Sequence, residues 1–287
     1  MQKLSGILLV LLSSTAFGIT PLFAHLAYAS GVDAITILWI RFSLTAIVLW
    51  SILILGKIPL PQPRHCLMLF GLGSLVFVGQ SLGYFVALTL IPASLVALLL
   101  YLYPAIVMVL AIVFLKEPLT RIKLLTLALA TTGVVLTVGI NRTESLWGVV
   151  VGFGTAILYA VYVLLMSQIV KRQGSVLPCL TWVMSGACLM YSGLVCVRGA
   201  VFPQFPHQWT GWLAILSIAL ICTVLAPLSL FEGIKRIGVT TGSTLSTWEP
   251  VVTVITAAIF LGEKLSPLGL FGGGLILLAV FLTGRSD

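Results

Sequence analysis

Charge is what this sequence has least of. Only 8% of its 287 residues are Asp, Glu, Lys or Arg, against roughly a quarter in soluble domains, so no ordinary aqueous surface can be built from it. Aspartate occurs twice, as Asp33 and Asp287, and histidine three times. The chain has no HExxH and no paired-aspartate motif, which argues against a membrane-embedded enzyme. Its five cysteines (Cys66, Cys179, Cys188, Cys196, Cys222) form neither a CxxC pair nor a cluster with histidine. They read as buried free thiols, and neither a metal site nor a cofactor is expected. What is abundant is apolar: 60% of the residues are hydrophobic, the composition of an integral membrane protein. The net charge of +8 sits at the flanks of apolar runs, so it reports topology rather than a nucleic-acid partner.

A membrane span needs about 20 mostly apolar residues. Breaking the chain at charges and at Pro/Gly clusters predicts ten: 4–28, 34–56, 66–90, 94–115, 121–140, 146–170, 177–198, 209–234, 239–261 and 267–284. The first begins like a signal peptide, with Lys3 before an apolar run, but it continues past Pro21 to Tyr28 and is read as a spanning helix. The runs lack the alternation of barrel strands. Connections are short and leave no room for a separate extramembrane domain. With the N-terminus in the cytoplasm, the inner side receives Lys3, Lys57, Arg64, Lys116, Arg121, Lys123, Lys171, Arg172, Lys235, Arg236 and Arg285. The outer side receives only Arg142, Arg198 and Lys264, and Arg41 falls inside a span. The positive-inside rule therefore places both termini in the cytoplasm, with the bilayer expected to be a cell inner membrane.

The second half repeats the first. At a shift of 146 residues, "YLYPAIVMVLAIVFLKEPL" (101–119) lies over "TWEPVVTVITAAIFLGEKL" (247–265). Pro104 meets Pro250, Glu117 meets Glu263, and Phe85 meets Phe231; a shift of 143 brings Trp39 onto Trp182. Five spans per half is an odd number, so the halves, 1–142 and 143–287, must enter the membrane with opposite orientation. Inverted repeats are a recurring plan of secondary transporters, with the substrate site near the midplane between them.

These features together resemble the drug/metabolite transporter superfamily, and within it the EamA type. The resemblance rests on the 5+5 plan, Arg41-Phe42 early in the second span, a proline in the fourth and ninth spans, and the paired motifs "FLKEPLT" and "FLGEKLS". It covers nearly the whole chain. It implies ten transmembrane helices around a central cavity and movement of small organic metabolites, often export of amino acids or related compounds. It names no cargo.

Glu249 is the foremost candidate residue. Between Arg236 and Glu263 it is the only charge, and it falls about 15 Å from the start of its span, near mid-membrane. A charge there costs about 2.5–3.5 kcal/mol on insertion scales, so it should face protein or water. Gly242, Ser246, Glu249, Thr253 and Thr256 recur at helical spacing as one polar stripe. The matching stripe of the fourth span (Val96, Leu100, Tyr103, Val107, Leu110) is apolar apart from Tyr103. Two readings of Glu249 stand: it binds a substrate amine or takes up a coupling proton, or it is a hydrogen-bonded carboxyl that locks a bend. Pro104 and Pro250 are expected to kink their helices.

Arg41 either holds a substrate carboxylate or serves the outer end of the bundle structurally; reaching Glu249 would require full extension. Further lining candidates are Gln80 and Tyr84 with Phe77 on the third span, Tyr103 on the fourth, Thr155, Tyr159 and Tyr162 on the sixth, and Trp248 on the ninth. His25 is expected at the interface. Glu117 and Glu263 read as turn-building residues, and Glu232 as a partner of Lys235 and Arg236.

The expectation is therefore a secondary transporter in the lipid bilayer that moves a small-molecule solute by alternating access. Protons are the coupling ion to test for, and the sequence does not set an oligomeric state. A passive channel or a lipid flippase stands as the alternative.

Overall fold

The sixth span is a single unbroken helix, and its ends follow from two residues. Ser145 accepts the backbone N–H of Gly148 at the start, and Gly174, at φ +76°, stops the chain in a conformation that side-chain-bearing residues disfavour. The structure is a computed structural model that describes residues 2–91, 96, 99–138, 145–197, 204–260 and 267–285. Among these residues the fold is helical throughout, without a strand.

The first tract is α1 (Gln2–Gly18) and α2 (Thr20–Ala29), broken at Ile19 just before Pro21. α3 (Ala34–Leu55) is capped by Asp33, whose carboxylate accepts from the amides of Ile35 and Thr36. α4 (Pro63–Gly71) runs through a π-helical segment, Leu72–Phe77, into α5 (Val78–Leu90). Then come α6 (Tyr103–Leu115), α7 (Arg121–Val138), α8 (Leu146–Gln173) and α9 (Val176–Val197). α10 (Trp209–Ser217) passes through a second π-helical segment, Ile218–Leu225, into α11 (Ala226–Ile237). α12 (Val239–Leu245), a 3-10 turn at Ser246–Trp248 and α13 (Glu249–Phe260) make the ninth tract, and α14 (Pro267–Arg285) the tenth.

Among the described residues, six tracts are long and apolar enough to cross a membrane: Gln2–Ala29, Ala34–Leu55, Pro63–Tyr84, Leu146–Gln173, Val176–Val197 and Trp209–Ile237. Tyr103–Leu115 and Pro267–Ala279 are shorter apolar helices. Large apolar side chains such as Leu55, Leu146 and Val197 stand exposed on the outside, as a lipid-facing surface requires. Arg142, Arg198, Glu263 and Lys264 lie outside the described residues.

The prolines do not bend continuous helices. Pro104 stands in the first turn of α6, after a turn at 101–102, and Pro250 is the second residue of α13, after the 3-10 segment. A proline's missing N–H costs nothing at a helix start, so each opens a new helix after an interruption.

Two polar clusters define the ends of the bundle. At one, Arg236 donates to Ser5 Oγ, Lys235 to the carbonyl of Gly174, Gln173 meets His65, and Glu117 Oε2 accepts from Lys123 (3.1 Å) and Thr240 (2.8 Å). Glu117 thus does more than shape a turn: it ties α6–α7 to the start of α12. Arg236 also reaches Glu232 at 3.9 Å. We call this the basic end. At the opposite end the His207 amide donates to the Ser30 carbonyl, and Gly148 packs on Ile91.

Glycines set the tightest helix contacts. A Cβ on Gly73, in the first π segment, would lie 2.0 Å from the carbonyl oxygen of Val183, and one on Gly186 would lie 2.3 Å from that of Phe70. The first π segment and α9 therefore touch backbone to backbone. Near the basic end, Gly6 and Gly233 bring α1 and α11 together in the same way.

Candidate functional site

The breaks in the first and ninth tracts meet. A Cβ on Gly18 would lie 2.9 Å from the carbonyl oxygen of Glu249, and Thr253 Oγ1 donates to the Gly18 carbonyl at 3.0 Å. With both helices interrupted there, their neighbours cannot fill the space, and a cavity of about 450 Å³ remains. Its wall runs from the exposed His25 and Tyr28, toward the end opposite the basic one, down to Glu249, Tyr103 and Phe231 in the middle of the bundle.

The floor is an aromatic network. Phe77 lies 4.8 Å from Tyr162, Tyr162 meets Phe231 edge-on at 5.6 Å, and Tyr103 meets Tyr159 at 4.7 Å. Phe42 stacks on Tyr191 at 5.3 Å. Below it, at the basic end, the helices close through the glycine contacts and side-chain pairs described above.

A carboxyl and a guanidinium stand in this chamber on different elements. Glu249, at the start of α13, faces the Tyr101 hydroxyl, with Tyr84, Tyr103 and Tyr159 around it. Arg41, on α3, donates from Nε to Thr223 Oγ1 and holds its guanidinium carbon 5.1 Å from the centre of the Phe42 ring. Among the described residues neither forms a salt bridge. Gln80 also lines the wall, and the buried Tyr162 hydroxyl has no hydrogen-bond partner among the described residues. Such groups have hydrogen-bonding capacity left for an occupant.

Of the side chains named from the sequence, Glu249, Arg41, Gln80, Tyr84, Tyr103, Tyr159 and Tyr162 line the cavity, as does Phe77. Trp248 and Ser246 do not. One residue of helix is a turn of about 100°, so Trp248 points to α1, where its Nε1 donates to Thr15 Oγ1 at 3.1 Å. Ser246 lies in the 3-10 turn, and its hydroxyl bonds back to the Gly242 carbonyl. Thr155 is likewise buried against its own helix. Of the predicted stripe only Glu249 and Thr253 reach the cavity. Sequence reasoning passed over Tyr101, Thr20, Tyr28, Ser81, Thr223 and Pro227, and His25 lies in the wall rather than only at the interface.

One signal would have found several of them. At the shift of 146, Phe77, Ser81, Tyr84 and Tyr103 fall on Thr223, Pro227, Leu230 and Glu249, and all eight residues line the cavity. The π segments obey the same shift, since Leu72 and Phe77 fall on Ile218 and Thr223.

A protein of Bacillus subtilis (strain 168), named uncharacterized transporter YcbK, is 25% identical over 284 residues, which is 95% of this chain and 90% of that protein. A solved crystal structure superposes with a TM-score of 0.82 at 17% identity, covering 98% of this chain and 96% of the other, a likeness of fold alone. The profile of the EamA-like transporter family matches residues 4–139 and again 146–285. The chain is therefore a multi-pass membrane protein that belongs to the EamA-like transporter family.

Proposed function

We propose that the protein is a secondary transporter that moves a small organic metabolite by alternating access. An amino-acid-like solute and export are the favoured cargo and direction. In this reading ten transmembrane helices form two inverted repeats, 1–142 and 143–287, in an inner membrane, and the basic end faces the cytoplasm with both termini. The repeat reading is supported by the family match, which falls once in each half.

The carrying observation is a chamber that holds a carboxyl, a guanidinium and the unpartnered Tyr162 hydroxyl at mid-depth, with exposed wall residues toward one end and the side-chain pairs of the basic end beyond its aromatic floor. A passive channel needs a path through both ends. A flippase needs a lateral opening wide enough for a headgroup, which a chamber of about 450 Å³ ringed by aromatic residues does not supply. A carboxyl in a partly dry site favours a cationic group or a proton, so Glu249 takes the substrate ammonium or the coupling proton, and the surrounding rings favour an ammonium by cation–π attraction.

Glu249→Gln tests this directly. In proteoliposomes the variant should lose at least about 10-fold in solute flux while its folded yield stays at the wild-type level. Full flux would remove Glu249 from the mechanism. If protons are coupled, an imposed solute gradient shifts the vesicle pH; flux at constant pH would mean facilitated diffusion instead. A growth screen against amino acids, their analogues and toxic metabolites, with and without the gene, identifies the solute.

A further inference from the structure

The second π segment supplies a hydroxyl whose hydrogen-bond roles are fully determined. Thr223 Oγ1 donates its one hydrogen to the carbonyl of Ile218, five residues earlier, at 2.8 Å. In an α-helix a threonine hydroxyl reaches back three or four residues; the wider π turn shifts that partner to the fifth. With its hydrogen committed to a carbonyl, the oxygen can only accept, and a guanidinium can only donate. The bond from Arg41 Nε to Thr223 Oγ1 therefore fixes one edge of the guanidinium and leaves the Nη donors for the cavity, where they have no partner among the described residues.

From this geometry we infer that Thr223 is a positioning residue for Arg41, and that Arg41 so held receives a carboxylate of the transported solute. The inference rests on the transporter reading and assigns the anionic pole of the same chamber. Three observations separate it from a merely structural tie. Thr45, four residues along α3 from Arg41, already joins that helix to the π segment by donating to the Ala219 carbonyl at 3.3 Å. The repeat-related π segment carries Phe77 at the equivalent place, so a π turn does not itself need a hydroxyl there. And a desolvated cation without a counter-ion is costly, whereas a planar guanidinium edge matches a carboxylate with two parallel hydrogen bonds.

The test measures thermal stabilisation of the purified full-length protein in detergent by matched solutes. The probes are L-leucine and L-phenylalanine, their decarboxylated counterparts isopentylamine and phenethylamine, and the two amino-acid amides. Wild type should be stabilised by at least one amino acid at a concentration about 10-fold below that needed for its amine or amide. Thr223→Val keeps the side-chain shape and should abolish that preference, Thr223→Ser should restore it, and Arg41→Lys should lose it.

Equal stabilisation of wild type by amine and amino acid would overturn the proposal. So would no stabilisation by either amino acid, or an unchanged preference in Thr223→Val. Should the valine variant not fold, the serine and Arg41→Lys variants still decide. A lost preference with solute flux intact fails this inference alone, and a retained preference with no flux in vesicles fails the transporter reading alone.

Discussion

Phe77 and Thr223 occupy the same place in the two halves of the chain, yet one gives the cavity a ring and the other a hydroxyl. The same inequality recurs at Tyr103 and Glu249, where one half offers a phenol and the other a carboxyl. The halves thus agree in where a wall residue stands and differ in what it does. Backbone shape follows the repeat, while the side-chain chemistry at related wall positions does not.

Substitutions at related positions can break or sharpen that comparison. The largest effect is expected where the halves pack. Gly73 meets the Val183 carbonyl, but its counterpart is Ala219, which is already fully buried with a Cβ. Gly73→Ala, which copies the other half, should force backbones apart, cost more than the ~1–3 kcal/mol usual for overpacking, and sharply reduce folded yield by size-exclusion chromatography. Ala219→Gly should cost about 1 kcal/mol or less. Equal losses would mean the two contacts are packed alike.

Next comes function. Glu249→Gln should lower flux at least about 10-fold, whereas Tyr103→Phe at the related position should change it less than about 3-fold, because the ring contact with Tyr159 survives. Matching losses in vesicle flux would show that the Tyr103 phenol matters as much as the Glu249 carboxyl.

The smallest effect separates two tryptophans. Trp39 Nε1 donates to Ser192 Oγ at 3.1 Å, while Trp182 Nε1 is buried without a partner among the described residues. Trp39→Phe should lower thermal stability by about 0.6 kcal/mol, the average for a membrane hydrogen bond. Trp182→Phe should be neutral or slightly stabilising, since no bond is lost. A reversed order in a melting series would contradict this.

The helices were legible because an apolar run of spanning length is a local property. The repeat was legible because it survives in quoted residues such as Pro104 and Pro250. Glu249, the aromatic wall of the third and sixth spans, and Arg41 could be named from chemistry that does not suit lipid. Other wall residues left no such mark. Tyr101 lies in a turn that apolar periodicity does not announce, and its hydroxyl meets Glu249 only through the fold. Thr223 is one small hydroxyl among several, and its partner is chosen by a π register that no residue type signals. Ser246 was assigned to the cavity by an unbroken helical stripe, which the 3-10 turn between α12 and α13 breaks, and Trp248, named as a mid-membrane aromatic, turns to α1 instead.

The π segments also bear on ancestry. Under the proposed duplication, a rare helix type standing at the same register in both halves is most simply inherited once. The ancestral five-helix unit would then already have carried an extra residue in its third helix. A lone copy that paired with an inverted twin would have lined its chamber with two identical π turns. The threonine that holds Arg41 is then a later specialisation of one copy, made possible because the other could keep its shape without it.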